Sequence, residues 1–399
     1  GSRPVPFGHS ITLMNLMSVF SHRIALSLGL LLASASSLAQ VAAEGARPAS
    51  AQAASAASVP DGKAVSPAEP VRKWAPLLKV NGRLLPKDLG LVINVDDPYS
   101  VKVGEYYAKA RGILPGNILK LSLPIKGVLT RDEFDGLARQ VDAFYGDRVQ
   151  GLALAWRWPF AVDCNSITGA LTLGFDPQLC KQTCGPSKQS RYFGSYSTRP
   201  YQDAGLRLSM LLAARDADQA IAMIDLGVKS DRTLGLRGAP PVNVHFVTTS
   251  DAVRSRRQVL YPPQGPVPAL GLDVRLDQTD ALRGVDKVLM YITGRERIDG
   301  LGSVSFVPGA LADHLTSYGG ILDASHGQMT VLSWIEAGAT ASYGTTSEPC
   351  AHLQKFPHPQ ALLLFYAGGA TAMEAYWKSV QWPQQGLFVG EPLAAPFGR

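Results

Sequence analysis

Asp313 and His314 adjoin in the run ADHLTS, with Thr316 and Ser317 just beyond. Histidine titrates near working pH, so His314 is the natural candidate for a general acid or base. A base of that kind could activate water or a hydroxyl such as Ser317 Oγ, or work beside a thiol such as that of Cys350. Asp313, His314, Ser317 and Cys350 therefore form the candidate catalytic set. Neighbours in sequence do not automatically face each other, so Asp313 need not orient His314. A second set, Asp97, Asp163, Glu348 and Arg295, falls in other loops and reads as ligand-binding. Each has a plainer explanation. Asp97 before Pro98 can simply hold a turn, and Asp163 can bond its own backbone. His326 lies in a Ser-His-Gly loop, His352 and His358 in a proline-containing loop, and Glu374 beside aromatics where it can meet a buried cation. Oxygen ligands of this kind suit Mg²⁺ or Ca²⁺ over a soft metal, but no ligand spacing demands either.

The elements needed to position these residues read as alternating strands and helices. Residues 89–95 (LGLVINV) form a short apolar, β-branched run, hence a buried strand. Ser100 can cap a helix over 101–111, which Gly112 and Pro115 end. Residues 118–123 make a second strand. Thr130 with Glu133 opens another helix as a capping box, and 151–156 is a third strand. Further strands are expected at 242–248, 288–293, 304–307 and 339–343, with helices at 216–228, 329–337 and 370–380. This order implies a three-layer α/β fold, a mostly parallel sheet flanked by helices. In such a sheet the loops after the strands gather at one edge, where ligands sit. On that reading Asp97, Asp163, Arg295, His314 and Glu348 share one rim.

Residues 159–200 interrupt the rhythm with three of the chain's four cysteines, many hydroxyls and several aromatics. An excursion this long carries function or is held by cross-links. Trp156, Trp158, Phe160, Tyr192, Phe193 and Tyr196 could stack on sugars, pack on a partner, or fill the core. Four cysteines in an oxidising compartment imply two disulfides and allow three pairings. One pairing closes a small Cys180–Cys184 loop and leaves Cys164 to meet Cys350. Zinc is the rival, but paired C-x-x-C spacing is missing. A free, nucleophilic Cys350 is the other rival.

The start of the chain addresses the compartment. Gly1-Ser2 resembles a cloning scar, and 3–13 reads as upstream sequence. Residues 14–39 have His22 and Arg23, an apolar run, and Ser37-Leu38-Ala39, the pattern of a signal peptide cleaved after Ala39. The run falls short of the ~20 residues that span a bilayer, so the mature chain is expected to have no integral membrane segment. Residues 40–70, rich in Ala, Ser and Pro, read as a flexible tether, leaving 71–399 as a single α/β domain. The expected location is periplasmic or extracellular. A net charge of +6 without interleaved basic and aromatic residues gives nucleic acid no support. Nucleotide cofactors gain none either, because neither a G-x-G-x-x-G nor a Walker sequence occurs.

Several stretches, among them NVDDPYSVKVGEYYAKARGI (94–113), PGALADHLTSYGG (308–320), EAGATASYGTTSEPCAHLQKFPHP (336–359) and EAYWKSVQWPQQGLFVGEPLAAPF (374–397), resemble a widespread, uncharacterised family of secreted bacterial proteins. More distantly, the layout resembles the caspase-like fold of gingipain-type cysteine peptidases, so caspase-like or Rossmann-like topology is expected. That resemblance puts Arg295 and Ala310 where the peptidase histidine and cysteine belong, so the dyad is absent. Two functions follow. One is a hydrolase-like enzyme acting at the strand-end rim. The other is a non-catalytic envelope protein binding a peptide, glycan or protein partner there.

Overall fold

The computed structural model describes residues 71–76 and 81–399. The expected upstream segment, signal peptide and tether (1–13, 14–39 and 40–70) lie outside the described residues.

The first strand, β1 (Leu89–Asn94), is buried along its whole length, as its apolar run requires. Asp97 caps α1 (Pro98–Arg111) by accepting from the Tyr99 amide. Ser100, expected to be the cap, instead accepts from the Asn94 amide at 2.8 Å. Next come β2 (Ile118–Leu121), β3 (Val128–Leu129) and α2 (Arg131–Tyr145), the last opened by the Thr130–Glu133 capping box. The strands β4 (Gly151–Leu154), β5 (Ala161–Val162) and β6 (Asn165–Ser166) precede helices α3 (Ile167–Leu173), α4 (Pro177–Lys181) and α5 (Pro200–Ala204). Then follow β7 (Leu208–Leu211), α6 (Ala217–Ser230), β8 (Val242–Thr248), β9 (Gly265–Val267), β10 (Leu272–Gln278), β11 (Val285–Thr293) and β12 (Val304–His314). The chain finishes with α7 (Leu332–Glu336), β13 (Ala341–Thr345), α8 (Pro359–Ala367), α9 (Ala372–Ser379) and β14 (Gly386–Gly390).

Eleven strands form one sheet in the order β2-β1-β4-β7-β14-β13-β12-β11-β8-β10-β9, and β3, β5 and β6 form a small separate one. The large sheet consists of two parallel blocks. From β2 to β14 all strands run one way. From β13 to β10 they run the other way, because β13 and β14 pair antiparallel. The architecture is the expected three-layer, mostly parallel α/β type. The single rim is not: loops after β1 and β4 leave one edge of the sheet, and loops after β8, β11, β12 and β13 leave the opposite edge. The antiparallel junction is made by β14, which the sequence reading did not include.

Residues an odd number of positions apart on a strand face opposite helical layers. A Cβ at Gly90 would meet Tyr145 of α2, whereas Ile93 meets Gly104 of α1. Asp313 and His314 divide in the same way. Asp313 points to the face where Tyr376 of α9 stacks on Tyr343. His314 points to the face covered by Trp334 of α7.

The strand expected at 304–307 runs on to His314. Pro308-Gly309 reads as a strand end, yet it is taken up in a bulge: Val288 pairs with Phe306 and Met290 with Leu311. Gly309 there has φ +86°, and its amide is held by Thr340 Oγ1 at 2.9 Å. Asp313 and His314 are thus the last residues of a buried strand, not residues of a loop. The helix expected at 329–337 shrinks to α7, and the strand expected at 339–343 is β13.

Both expected disulfides form, as Cys164–Cys180 and Cys184–Cys350. The small Cys180–Cys184 loop is therefore corrected. Cys164 sits in the β5–β6 turn, and Asn165 Nδ2 bonds Asp176 O at 3.1 Å, which brings the start of α4 and Cys180 beside it. Cys184 then reaches the loop after β13. Lys355 Nζ donates to Thr183 O, fixing the same junction, and burial pushes its ammonium down to about 8. Lys378 holds the later part of the excursion through Ser195 O and Ser197 O at 2.7 and 2.6 Å.

Candidate functional site

The loops after β8, β10, β11, β12 and β13 bring a polar rim to one edge of the sheet. Its hub is Thr316, whose Oγ1 donates to Gln328 Oε1 at 2.8 Å and accepts from Arg254 Nε at 3.3 Å. The Tyr318 amide donates to the same Gln328 oxygen at 2.8 Å. Arg254 pairs with Asp251 at 2.8 Å and approaches Glu296 at 3.9 Å. Burial alone would raise the Asp251 carboxyl, but the Arg254 amide and guanidinium outweigh it and hold it low. Arg295 pairs with Asp280, whose carboxylate also accepts from Ser250 N at 2.7 Å and is held at about 2 by that amide and by Arg295. Tyr318 packs on His326 with ring centres 4.3 Å apart.

Two features force these loops together. A Cβ at Gly294 would overlap the Arg254 carbonyl, so only glycine lets the β11 loop lie against the turn that carries Arg254. Gly344 of β13 likewise touches the backbone of Gly319 and Gly320, seating the loop of Tyr318. Behind the rim, Arg257 Nη2 meets Asp313 Oδ1 at 2.5 Å and Thr293 O at 2.7 Å, all inside the core. That ion pair anchors the 254–260 turn on β12. Arg257 and Asp313 are thus positioning groups for Arg254.

The candidate catalytic set does not assemble into an open site. Burial raises the Asp313 carboxyl, with Arg257 opposing. His314 is 1 % exposed. Its Nδ1 accepts from Trp334 Nε1 at 2.9 Å and its Nε2 faces Met329 O at 3.1 Å. Both nitrogens are occupied, Nδ1 as acceptor and Nε2 as donor, so the ring is neutral. Burial, the larger effect, pushes it down to about 3. Cys350 is in a disulfide and has no thiol. Ser317 is half-buried, and its carbonyl accepts from Thr345 Oγ1 at 2.8 Å.

The candidate binding set divides between the edges. Asp97 is the α1 cap and lies at the edge opposite His314. Asp163 reaches the His314 edge by another route: the β5–β6 turn folds back until Ser347 Oγ donates to Cys164 O at 2.6 Å. Glu348 accepts from the Cys350 amide at 2.7 Å and, after burial, is the main cause of the raised Tyr318 hydroxyl. Arg295 is on the rim as described. His358 caps α8, and Glu374 is buried as part of the α9 capping box. Of the aromatics, Trp156, Phe160 and Tyr192 are core, and Tyr196 is 47 % exposed.

Of the rim's hub residues, sequence reasoning reached Thr316, beside His314, but missed Asp251, Arg254, Asp280 and Gln328. The sequence signal was the pair of close-packing glycine regions, TGRE and SYGG, each beside a polar loop. A His245–Asp277 pair at 2.8 Å, with His245 Nε2 unpartnered among the described residues, was also missed. It lies within paired β8 and β10, where a single histidine in VNVHFVT reads as core.

Among the described residues no group of three or more His, Cys, Asp or Glu is placed to hold a metal ion, and no helix is long and apolar enough to cross a membrane. Comparison with protein-family models, curated proteins and solved structures returns no match.

Proposed function

We propose that the chain is a non-catalytic binding protein of the bacterial envelope, acting in the periplasm or outside the cell and holding a peptide, glycan or protein partner at the Arg254–Thr316–Gln328 rim. The observation that carries this reading is the closure of His314 between Trp334 and Met329, which leaves that histidine no free basic nitrogen for proton transfer. Arg254, Arg295 and Glu296 stand at the surface as charged groups already oriented by neighbours, which suits recognition at low ordering cost. The two disulfides fit an oxidising compartment. The resemblance to a family of secreted bacterial proteins and the more distant likeness to a caspase-like fold belong to the same proposal, with a peptidase dyad replaced by Arg295 and Ala310. A peptide and glycan array probed with the protein tests it. Capture is expected to weaken in Arg254→Ala and to persist in His314→Gln. Equal capture by wild type and Arg254→Ala would overturn the assignment to the rim.

A further inference from the structure

Beyond the ends of β4 and β7, at the edge opposite the rim, the chain carries Arg157 and Arg215. Both line a cleft of about 480 Å³ that Arg297 also lines from the other block, against α7 and the segment before it. The size is that of a small-molecule site. Its walls come from the loops after β4, β7 and β11 and from the segment that leads from β12 into α7. The arginines are held in position. Arg157 donates to Arg215 O and lies 4.2 Å over the Trp158 ring. The backbone leading to Arg215 is fixed by Tyr99, whose hydroxyl donates to Leu212 O at 2.8 Å and accepts from Ala214 N at 2.9 Å. Arg297 Nη2 donates to Gly327 O at 3.0 Å.

Among the described residues Arg215 has a carboxylate partner, Glu336 at 2.7 Å, while Arg157 and Arg297 have none within ion-pair distance. One carboxylate, Asp323, lines the cleft, and it accepts from the Ser325 amide at 3.0 Å. Cationic groups thus outnumber anionic ones around a concave surface. Thr330 and Ser333 add hydroxyls, and Leu332 adds an apolar wall. Guanidinium forks match the paired oxygens of carboxylate and phosphate.

We infer that this cleft is an oxyanion site, taking a small ligand with a phosphate or carboxylate group on a carbon body. Gln328 of the rim also lines the cleft, but its Oε1 is taken by Thr316 and the Tyr318 amide. The arginines that carry this inference, Arg157, Arg215 and Arg297, make no hydrogen bond or ion pair with Arg254 or Thr316, so it does not depend on the rim reading.

Calorimetric titration of the whole protein with sodium phosphate and, separately, sodium glucuronate, at fixed ionic strength with chloride, tests it and tells the two anion classes apart. Saturable binding of at least one is expected, weakened roughly tenfold to a hundredfold in Arg157→Gln and in Arg297→Gln. Arg139→Gln, an exposed change on α2, should leave it unchanged. Arg157 also holds backbone, so the exposed Arg297 gives the cleaner variant if Arg157→Gln melts early. No saturation by either anion at ~10 mM, or equal binding by wild type and Arg297→Gln, would overturn the inference.

Discussion

Trp334 Nε1 donates to His314 Nδ1 across 2.9 Å, and that bond settles the state of the ring. An indole N–H can only donate, so Nδ1 must be the bare nitrogen. Protonating His314 would break the bond and place a charge in the core. The folded state therefore holds this histidine neutral down to about 3. An unfolded chain takes up a proton near its ordinary value, about 6.5. Stability from His314 is present above that value and is lost as pH falls toward 3, at about 1.4 kcal/mol per pH unit. Asp313 and Glu374, raised by burial, act in the opposite sense, since their contribution is lost as pH rises through their folded values. Denaturant unfolding across this range in wild type and His314→Gln separates the two. The expected outcome is a shallower acid loss in the variant, on a lower starting stability.

The Arg257–Asp313 pair gives a second prediction. Both side chains are sealed, at 1 % and 0 %. Removing one partner strands a buried charge, so Arg257→Ala should cost about 3–5 kcal/mol. Replacing both with apolar residues, Arg257→Met with Asp313→Leu, should recover most of that loss. Chemical denaturation measures both. The double variant should also weaken rim binding if the pair positions Arg254.

The disulfides give a third. Denaturing, non-reducing thiol titration should find no free thiol. Cys350→Ser should expose Cys184 and cost roughly 2–5 kcal/mol.

Gly294→Ala tests the rim's assembly. Its methyl group would enter the space of the Arg254 carbonyl, and relief requires the β11 loop and the Arg254 turn to separate. Overpacking of this kind costs about 1–3 kcal/mol. Rim binding should fall further than the melting temperature alone implies.

The sheet's strands were largely legible because strands buried on both faces write themselves as continuous apolar runs, as in LGLVINV. What was not legible has physical causes. Strand β12 passes through Pro308 by bulging, and proline in a sequence otherwise reads as a stop. The reversal of direction at β13–β14 depends on which strand fills the gap beside β7, a long-range choice with no local signature. Asp313-His314 looks like an acid–base pair in one dimension. In a strand, adjacent side chains point to opposite faces, so one meets Arg257 and the other Trp334. The rim was found at Arg295 and Glu348 because those residues follow recognisable strands. Its Arg254–Thr316–Gln328 hub depends on contacts across 62 and 12 residues of chain.

Recognition without turnover at the Arg254–Thr316–Gln328 rim is open to direct measurement. The direct measurement is time-resolved mass spectrometry of whatever peptide or glycan the wild-type protein captures on an array, incubated with wild type, Arg254→Ala and His314→Gln. An intact ligand is expected in every case, retained by wild type and His314→Gln and lost about tenfold or more by Arg254→Ala. Time-dependent cleavage by wild type that His314→Gln abolishes, with the variant's fold intact, would contradict it.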